Sequence, residues 1–195
     1  MEQLSLDPKS TALVLIDLQQ GIVGMPTAPH QAAVVVANAV RLAERFRALS
    51  ATVVLVRVGF SPDGQDALGN PVDAPFTVRP GQRPPNWSEL VGELGPRSGD
   101  LVITKHQWGA FYGTELDLQL RRRGIRTIVI GGIATNFGVE STARDAWERN
   151  YALVLAEDAT AAMSAEAHAF AISTIFPRLG RIRSTADILA ALNPN

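Results

Sequence analysis

The chain has 195 residues, of which 46% are hydrophobic and 19% are charged, a balance typical of a globular domain with a substantial core. Its 18 basic and 19 acidic residues give a net charge of −1, so nothing in the overall charge attracts nucleic acid or an anionic membrane. The absence of cysteine excludes disulfides and cysteine metal ligands. Because no signal peptide or membrane-length apolar run occurs, the sequence predicts one cytoplasmic domain over residues 1–195, with neither nucleic acid nor membrane as partner.

In chain order, short β-branched runs alternate with longer helical patterns. Strands are predicted at residues 12–16, 52–58, 101–104, 125–130 and 152–155, with a short sixth strand around Ile182. Helices are predicted over about 30–49, 114–120 (with Thr114 as N-cap), 136–150, 165–177 and 185–192. Because the strands are continuously apolar, we expect them to be buried on both faces. The alternation therefore predicts a three-layer, doubly wound α/β sandwich with a parallel sheet, whose ligand crevice lies at the carboxyl ends of the strands.

One connection is much longer than the others. Residues 59–100 separate the second and third strands and are rich in Pro, Gly and Asn. A connection of this length in a compact domain usually has a function of its own. Its apolar residues Phe60, Phe76, Trp87 and Leu90 indicate that it packs against another surface. A lid over the crevice and a contact between subunits are equally compatible with this pattern.

Polar residues follow the central strands at the predicted crevice. Asp17 ends the first strand, Lys105 ends the third, and the turn GGIATNFG (residues 131–138) follows the fourth. A carboxylate and an ammonium at one crevice shift each other's pKa and can support proton transfer. The alternative is that Asp17 caps a turn and Lys105 is a solvated amine. The turn lacks both dinucleotide and P-loop spacing, which disfavours a nucleotide-binding module.

Three segments of the sequence resemble the signature blocks of the isochorismatase-like hydrolases. They are DLQ at residues 17–19, KHQWGAFYGTEL at 105–116 and GGIATNFGVESTARDA at 131–146. The resemblance implies a six-stranded parallel sheet in the order 3-2-1-4-5-6 and a homodimer or homotetramer. It also implies a pocket around Asp17 and Lys105, and a cis peptide bond between Ile133 and Ala134.

The sequence departs from this family at one position. Most members have a nucleophilic cysteine in the turn after strand four, where this chain has Gly138. Thiolate attack is therefore excluded. Thr135, Ser141 and Thr142 lie nearby, but no histidine follows them in a recognisable catalytic arrangement.

Glycine at this position is similar to the true isochorismatases, which hydrolyse a vinyl ether without a covalent nucleophile. The resemblance makes Asp17 the proton donor and Lys105 the group that orients it, while the backbone of Gly138 and Ala134 lines the pocket. A general acid of this kind needs a raised pKa.

The remaining expectations concern binding. The predicted substrate is a small molecule, contacted by Gln19, Trp108, Phe111, Ala134 and Thr135. The candidate cations for an anionic substrate are Arg57, Arg79 and Arg83. No cofactor or metal is expected, because His30, His106 and His168 are scattered without ligand spacing and are interpreted as surface or helix residues.

Two functions remain open from the sequence. The first is a hydrolase of a small metabolite that works without a thiol, through an Asp–Lys acid–base site and attack by water. The second is a catalytically inactive homologue that binds a small molecule. Turnover of a candidate substrate distinguishes them.

Overall fold

The strands form one continuous sheet. The structure, a computed structural model, describes residues 4–75 and 83–192. Val14 pairs with Val54 on one side and with Ile130 on the other, so the first strand is central. The order is β3-β2-β1-β4-β5-β6, all pairs parallel, which confirms the expected topology. The strands are β1 Thr11–Ile16, β2 Thr52–Val58, β3 Leu101–Lys105, β4 Thr127–Ile133, β5 Ala152–Ala161 and β6 Arg181–Arg183.

Helices cover both faces of the sheet, as the apolar strands predict. Leu13 and Leu15 of β1 belong to one buried cluster and Val14 and Ile16 to the other, because successive strand residues point to opposite faces. α2 and α7 cover the first face, and α3, α4 and α6 the second. No helix within residues 4–75 and 83–192 is long and apolar enough to cross a bilayer. The helices are α1 Gln20–Val23, α2 Ala32–Ala48, α3 Leu116–Arg122, α4 Glu140–Glu148, α5 Ala165–Phe170, α6 Phe176–Leu179 and α7 Thr185–Ala191.

Strand β5 is longer than predicted and irregular. Leu155 pairs with Ile130 and Thr160 pairs with Gly132, so β5 advances five residues while β4 advances two. Such a bulge releases residues from the ladder and re-aims their side chains. Glu157 lies in this bulge, and the sequence pattern ended β5 before it.

Two helices also differ from their predicted form. The helix after β4 begins with a π-helical turn, Thr135–Val139, before continuing as α4. A second π-helical turn, Ala171–Ile175, lies between α5 and α6. Thr114 is not the N-cap of α3, since Glu115 takes that position. The Thr114 hydroxyl instead accepts a hydrogen bond from the Leu116 amide at 3.2 Å.

The last part of the long connection packs against its own chain. The amides of Gln20 and Val91 donate to Glu89 and Leu18 respectively, and Val91 is buried in the core. A Cβ on Gly21 would lie 1.9 Å from Trp87 Cδ1, so glycine is required where the indole crosses α1. The expected packing is thus confirmed for residues 87–94. Phe76 and Arg79 lie outside the described residues, and the choice between lid and subunit contact stays a prediction.

Candidate active site

Asp17 adopts an unusual backbone conformation at the carboxyl end of β1. Its φ is +55°, in the left-handed region that a non-glycine residue rarely adopts. Hydrogen bonds from the Asp17 amide to Val56 O (2.8 Å) and from the Gln19 amide to Asp17 O (2.9 Å) hold this conformation. Conformations of this kind concentrate at functional sites, where the surrounding structure enforces them.

Asp17 and Lys105 form a buried ion pair. Lys105 Nζ donates to Asp17 Oδ2 at 2.8 Å and to the carbonyl of Trp108 at 2.6 Å. The second carboxylate oxygen, Asp17 Oδ1, is buried without a hydrogen-bond partner among the described residues. Burial raises the pKa of the Asp17 carboxyl to about 6, against the opposite effect of the Lys105 charge and hydrogen bond. The carboxyl therefore exchanges a proton close to neutral pH.

Gly138 lies directly beside this pair. A Cβ built on Gly138 would be 3.1 Å from Asp17 Oδ2 and 3.2 Å from Lys105 Nζ. The same Cβ would be 2.9 Å from Ile16 Cγ2, closer than real Cβ contacts. Three strand ends thus bring the predicted catalytic residues together. The Ile16 contact indicates that the turn is packed around a glycine. A cysteine at this position would require Ile16 or the turn to shift.

The turn that carries Gly138 is fixed from its own helix. Thr142 Oγ1 donates to the Gly138 carbonyl at 2.7 Å and accepts from the Ala110 amide at 3.2 Å. The Ile133–Ala134 peptide is cis, as the resemblance implies. Ala134 is nearly buried, and its carbonyl accepts from the amides of two later residues of the turn. Through its hydrogen bonds to Gly138 and Ala110, Thr142 therefore has a structural role in the turn.

Two residues predicted to contact the substrate have partners within the protein. The Gln19 amide donates to Val58 O (3.0 Å) and Trp87 O (3.1 Å) and accepts from Val58 N (2.8 Å), so it ties the strand ends to the long connection. Phe111 is buried in the core, with its ring centroid 6.0 Å from that of Tyr151. Trp108 is half exposed and packs on Phe137, with centroids 4.9 Å apart. These contacts depend on the direction of each side chain, which the sequence blocks do not specify.

His168 lies on α5 and His30 is partly exposed, in agreement with their interpretation as helix and surface residues, yet the two share a partner that the sequence did not indicate. His30 Nε2 and His168 Nε2 both contact Glu157 Oε1, at 2.9 and 3.1 Å. His168 Nδ1 lies 2.9 Å from the hydroxyl of Thr135, which is fully buried in the turn. Thr135 therefore does have a histidine partner, which the sequence analysis missed. His30 and Glu157 are 127 residues apart, so no local spacing reports the contact.

One arginine at the same edge of the sheet has no counter-ion among the described residues. The Arg83 guanidinium lies 4.6 Å from the ring centroid of Phe60 and 4.0 Å from that of Trp87. Its Nη1 is buried with no hydrogen-bond partner among the described residues, and burial lowers the Arg83 pKa. Arg57 instead donates to the Thr104 hydroxyl at 3.0 Å. Of the predicted cations that the structure describes, Arg83 is the better placed to receive an anion.

Known proteins share this fold and these sequence blocks. Residues 11–187 match the Isochorismatase domain family. An uncharacterised isochorismatase family protein of Escherichia coli O157:H7, YecD, is 54% identical over 189 residues, covering 97% of this chain and all of the relative. The ureidoacrylate amidohydrolase RutB of Rhizobium rhizogenes is 33% identical over 184 residues, covering 82% of this chain and 73% of its own. The solved structure of an isochorismatase family protein from Burkholderia thailandensis has a TM-score of 0.93 at 48% identity, covering 98% of this chain and 99% of its own. This chain belongs to the isochorismatase family.

Proposed function

We propose that this chain hydrolyses a small metabolite without a covalent enzyme intermediate, with Asp17 as the proton donor and water as the nucleophile. The proposal rests on the buried environment of the Asp17 carboxyl. Its carboxyl is buried and has a pKa raised to about 6, yet one oxygen has no partner among the described residues. A general acid works best when its pKa lies near the working pH, and burial is the usual means of raising it.

The chemistry suits a vinyl ether. Asp17 transfers its proton to the terminal carbon of the enol ether, and the double bond becomes an oxocarbenium ion. Water adds to the cationic carbon and returns a proton to the Asp17 carboxylate. The resulting hemiketal then breaks its C–O bond and releases a ketone and an alcohol. Lys105 stabilises the carboxylate between the two proton transfers, because its ammonium remains 2.8 Å away.

Gly138 brings the backbone of the turn close to both groups. A Cβ at this position would lie within 3.2 Å of Asp17 Oδ2 and Lys105 Nζ. A substrate atom against the Gly138 backbone is therefore within reach of proton transfer from Asp17. In this proposal Ala134 lines the same turn, and Trp108 is the exposed aromatic next to it.

The proposed substrate carries an anionic group. Arg83, between two aromatic rings, is the cation we assign to it, since a guanidinium binds a carboxylate through paired hydrogen bonds. Isochorismate fits this description as a dicarboxylic vinyl ether. Ureidoacrylate, named in the relative from Rhizobium rhizogenes, is a second small anionic candidate, although its cleavage here requires direct attack by water.

The test measures turnover of both candidates. Purified protein is incubated with isochorismate, with pyruvate followed by a coupled dehydrogenase, and separately with ureidoacrylate, with ammonia as the readout. We expect turnover of one of them, a large loss of kcat in Asp17→Asn, and no loss in Asp73→Asn, which changes an exposed aspartate. Equal turnover in wild type and Asp17→Asn contradicts the mechanism.

The second candidate function is a non-catalytic binding protein. The close contact of Ile16 with the Gly138 position favours it, because the turn has little space for a nucleophilic side chain there. In that case the same compounds raise the melting temperature without being consumed, and Arg83→Met removes the shift. We also retain the prediction of a cytoplasmic homodimer or homotetramer without cofactor, for which light scattering after size-exclusion chromatography tests the oligomeric state.

A further inference from the structure

A second cluster of ionisable groups lies on the far side of the turn from Asp17. His30, Glu157 and His168, termed here the His–Glu–His cluster, each offer one ligand atom, and these atoms lie within 4.8 Å of one another. Glu157 Oε1 is 2.9 Å from His30 Nε2 and 3.1 Å from His168 Nε2. The two imidazole rings are edge to face, with centroids 5.6 Å apart. Both rings thus aim the same nitrogen at one carboxylate oxygen.

Three separate elements fix these side chains. The bulge in β5 releases Glu157 from the ladder. The segment before His30 is pinned to the end of β5 by two hydrogen bonds between Ala28 and Ala162, at 2.8 and 2.9 Å. His168 lies on α5, whose first turn is capped by the hydroxyl of Ser164. The cluster is therefore held by the fold and does not depend on chance contacts of surface side chains.

We propose that the His–Glu–His cluster is a binding site for one divalent transition-metal ion of the Zn²⁺ class. Two imidazoles and a carboxylate are a donor set that such ions take, with a fourth position left for water or another ligand. The ligand atoms of a tetrahedral zinc site are about 3.3 Å apart, given metal–ligand bonds of about 2.0–2.1 Å. The observed separations of 2.9 and 3.1 Å from Glu157 Oε1 are close to this value, so the side chains need only small shifts.

Thr135 supplies the outer support that metal-binding histidines commonly have. A metal on His168 Nε2 places the ring proton on Nδ1, which lies 2.9 Å from the Thr135 hydroxyl. A hydroxyl both accepts and donates, so Thr135 serves the metal-bound tautomer and the metal-free one alike.

The cluster is accessible to an ion. The side chains of His30 and Glu157 are 27% and 33% exposed, whereas that of His168 is 4% exposed. Solvent therefore reaches one side of the cluster while the buried histidine anchors the other. No step of the proposed hydrolysis uses these residues, so the inference stands independently of the proposed function.

The experiment titrates metal into the untagged full chain after treatment with a chelator. Calorimetry with Zn²⁺ measures stoichiometry and affinity, and Co²⁺ reports coordination through its visible absorption bands. We expect one ion per chain, and a loss of affinity of about a hundredfold or more in His30→Gln and in Glu157→Gln. Thr135→Val should weaken binding about tenfold, as for other outer-shell partners of metal-binding histidines.

The third histidine provides the matched control. His106→Gln should change the affinity less than twofold, because His106 contacts Asp66 and the carbonyl of Gly59, away from the cluster. Far-ultraviolet circular dichroism of each variant establishes that it is folded. The proposal is overturned if the wild type takes up no Zn²⁺ at millimolar concentration. It is also overturned if binding survives in both His30→Gln and Glu157→Gln, or disappears in His106→Gln.

Discussion

The pair of Asp17 and Lys105 combines two opposing electrostatic effects on one carboxyl group. Desolvation favours the neutral acid, whereas the ammonium 2.8 Å away favours the carboxylate. Desolvation is the larger effect, so the pKa rises. A surface aspartate with the same lysine partner would show the reverse shift. The burial of the Asp17 carboxyl, and not its pairing with Lys105, therefore makes Asp17 a suitable acid near neutral pH.

The raised pKa predicts how the reaction depends on pH. If protonated Asp17 is the reactive form, the rate is highest below about pH 6 and falls as pH rises through the pKa of about 6. Above that value each pH unit should lower kcat/KM about tenfold, since the protonated fraction falls by that factor. A pH–rate profile between pH 5 and 8 measures this. A rate that increases with pH would identify Asp17 as a base and contradict the proposed role.

Removing Lys105 should lower the free energy of unfolding, because the Asp17 carboxylate is then buried without a charge partner. In Lys105→Met, Asp17 loses its charge partner in a site from which water is excluded. We expect the free energy of unfolding at pH 7 to fall by about 3–5 kcal/mol, the usual effect of breaking a buried ion pair. Chemical denaturation measures it. The control is Arg144→Met, which breaks the exposed pair with Glu140 and should cost less than about 1 kcal/mol. Similar losses in the two variants would show that Asp17 and Lys105 are not a desolvated pair.

At the scale of elements, the π-helical turn Thr135–Val139 connects both proposed sites. Gly138, at one end of the turn, lies against Asp17, and Thr135, at the other, contacts His168. π-helical turns occur often at functional sites. This turn is also closely packed, because Gly138 has no room for a side chain beside Ile16.

The packing of this turn predicts the effect of one added methyl group. Gly138→Ala forces Ile16 or the turn to move, and overpacking of this kind costs about 1–3 kcal/mol of unfolding free energy. The methyl also lies beside Asp17 Oδ2 and Lys105 Nζ, so turnover should fall more than the loss of stability accounts for. The control is Gly92→Ala, whose new Cβ meets no atom within 4 Å. Denaturation and kcat measurements test both. An active, fully stable Gly138→Ala variant would contradict this account.

The sequence predicted those features that depend on local pattern. The limits of β2, Thr52–Val58, were predicted to the residue, because the run is rich in β-branched residues and Gly59 follows it directly. Asp17, Lys105 and Gly138 were predicted to meet, because the carboxyl ends of parallel strands share one edge. The His–Glu–His cluster was missed, because it depends on three extra residues in β5 that have no signature in composition. The burial of Phe111 was not predicted for a related reason, since the sequence does not distinguish an aromatic residue of a pocket from one of the core.

At the scale of the whole molecule, the sheet separates two cores. Phe46 of α2 lies in the cluster on one face and Phe176 of α6 in the cluster on the other, and both are fully buried. Each face is closed by its own helices, while the six strands are common to both. The crevice lies at the edge where the two layers meet. The positions of Asp17 and Lys105 therefore depend on the packing of both cores.

This separation predicts additive losses of stability. Phe46→Ala and Phe176→Ala should each lower the free energy of unfolding by about 3–5 kcal/mol, as expected for a buried phenylalanine. Because the two rings share no contact, the double variant should equal the sum of the single variants within about 0.5 kcal/mol. Urea unfolding monitored by circular dichroism measures all three. Phe170→Ala, which truncates an exposed ring, is the control and should have little effect. A large coupling energy would show that the sheet transmits strain between its faces.

The contact between Ile16 and the Gly138 position has a consequence for the order in which substitutions can accumulate. A thiol cannot be introduced into this turn in one neutral step, because a Cβ at position 138 meets the Ile16 Cγ2 methyl. A change such as Ile16→Leu, which removes that methyl at constant volume, has to come before Gly138→Cys. The double variant should then be more stable than Gly138→Cys alone, although each change lowers the stability of the parent. A neighbouring strand residue thus restricts which side chains, and therefore which chemistry, position 138 can acquire.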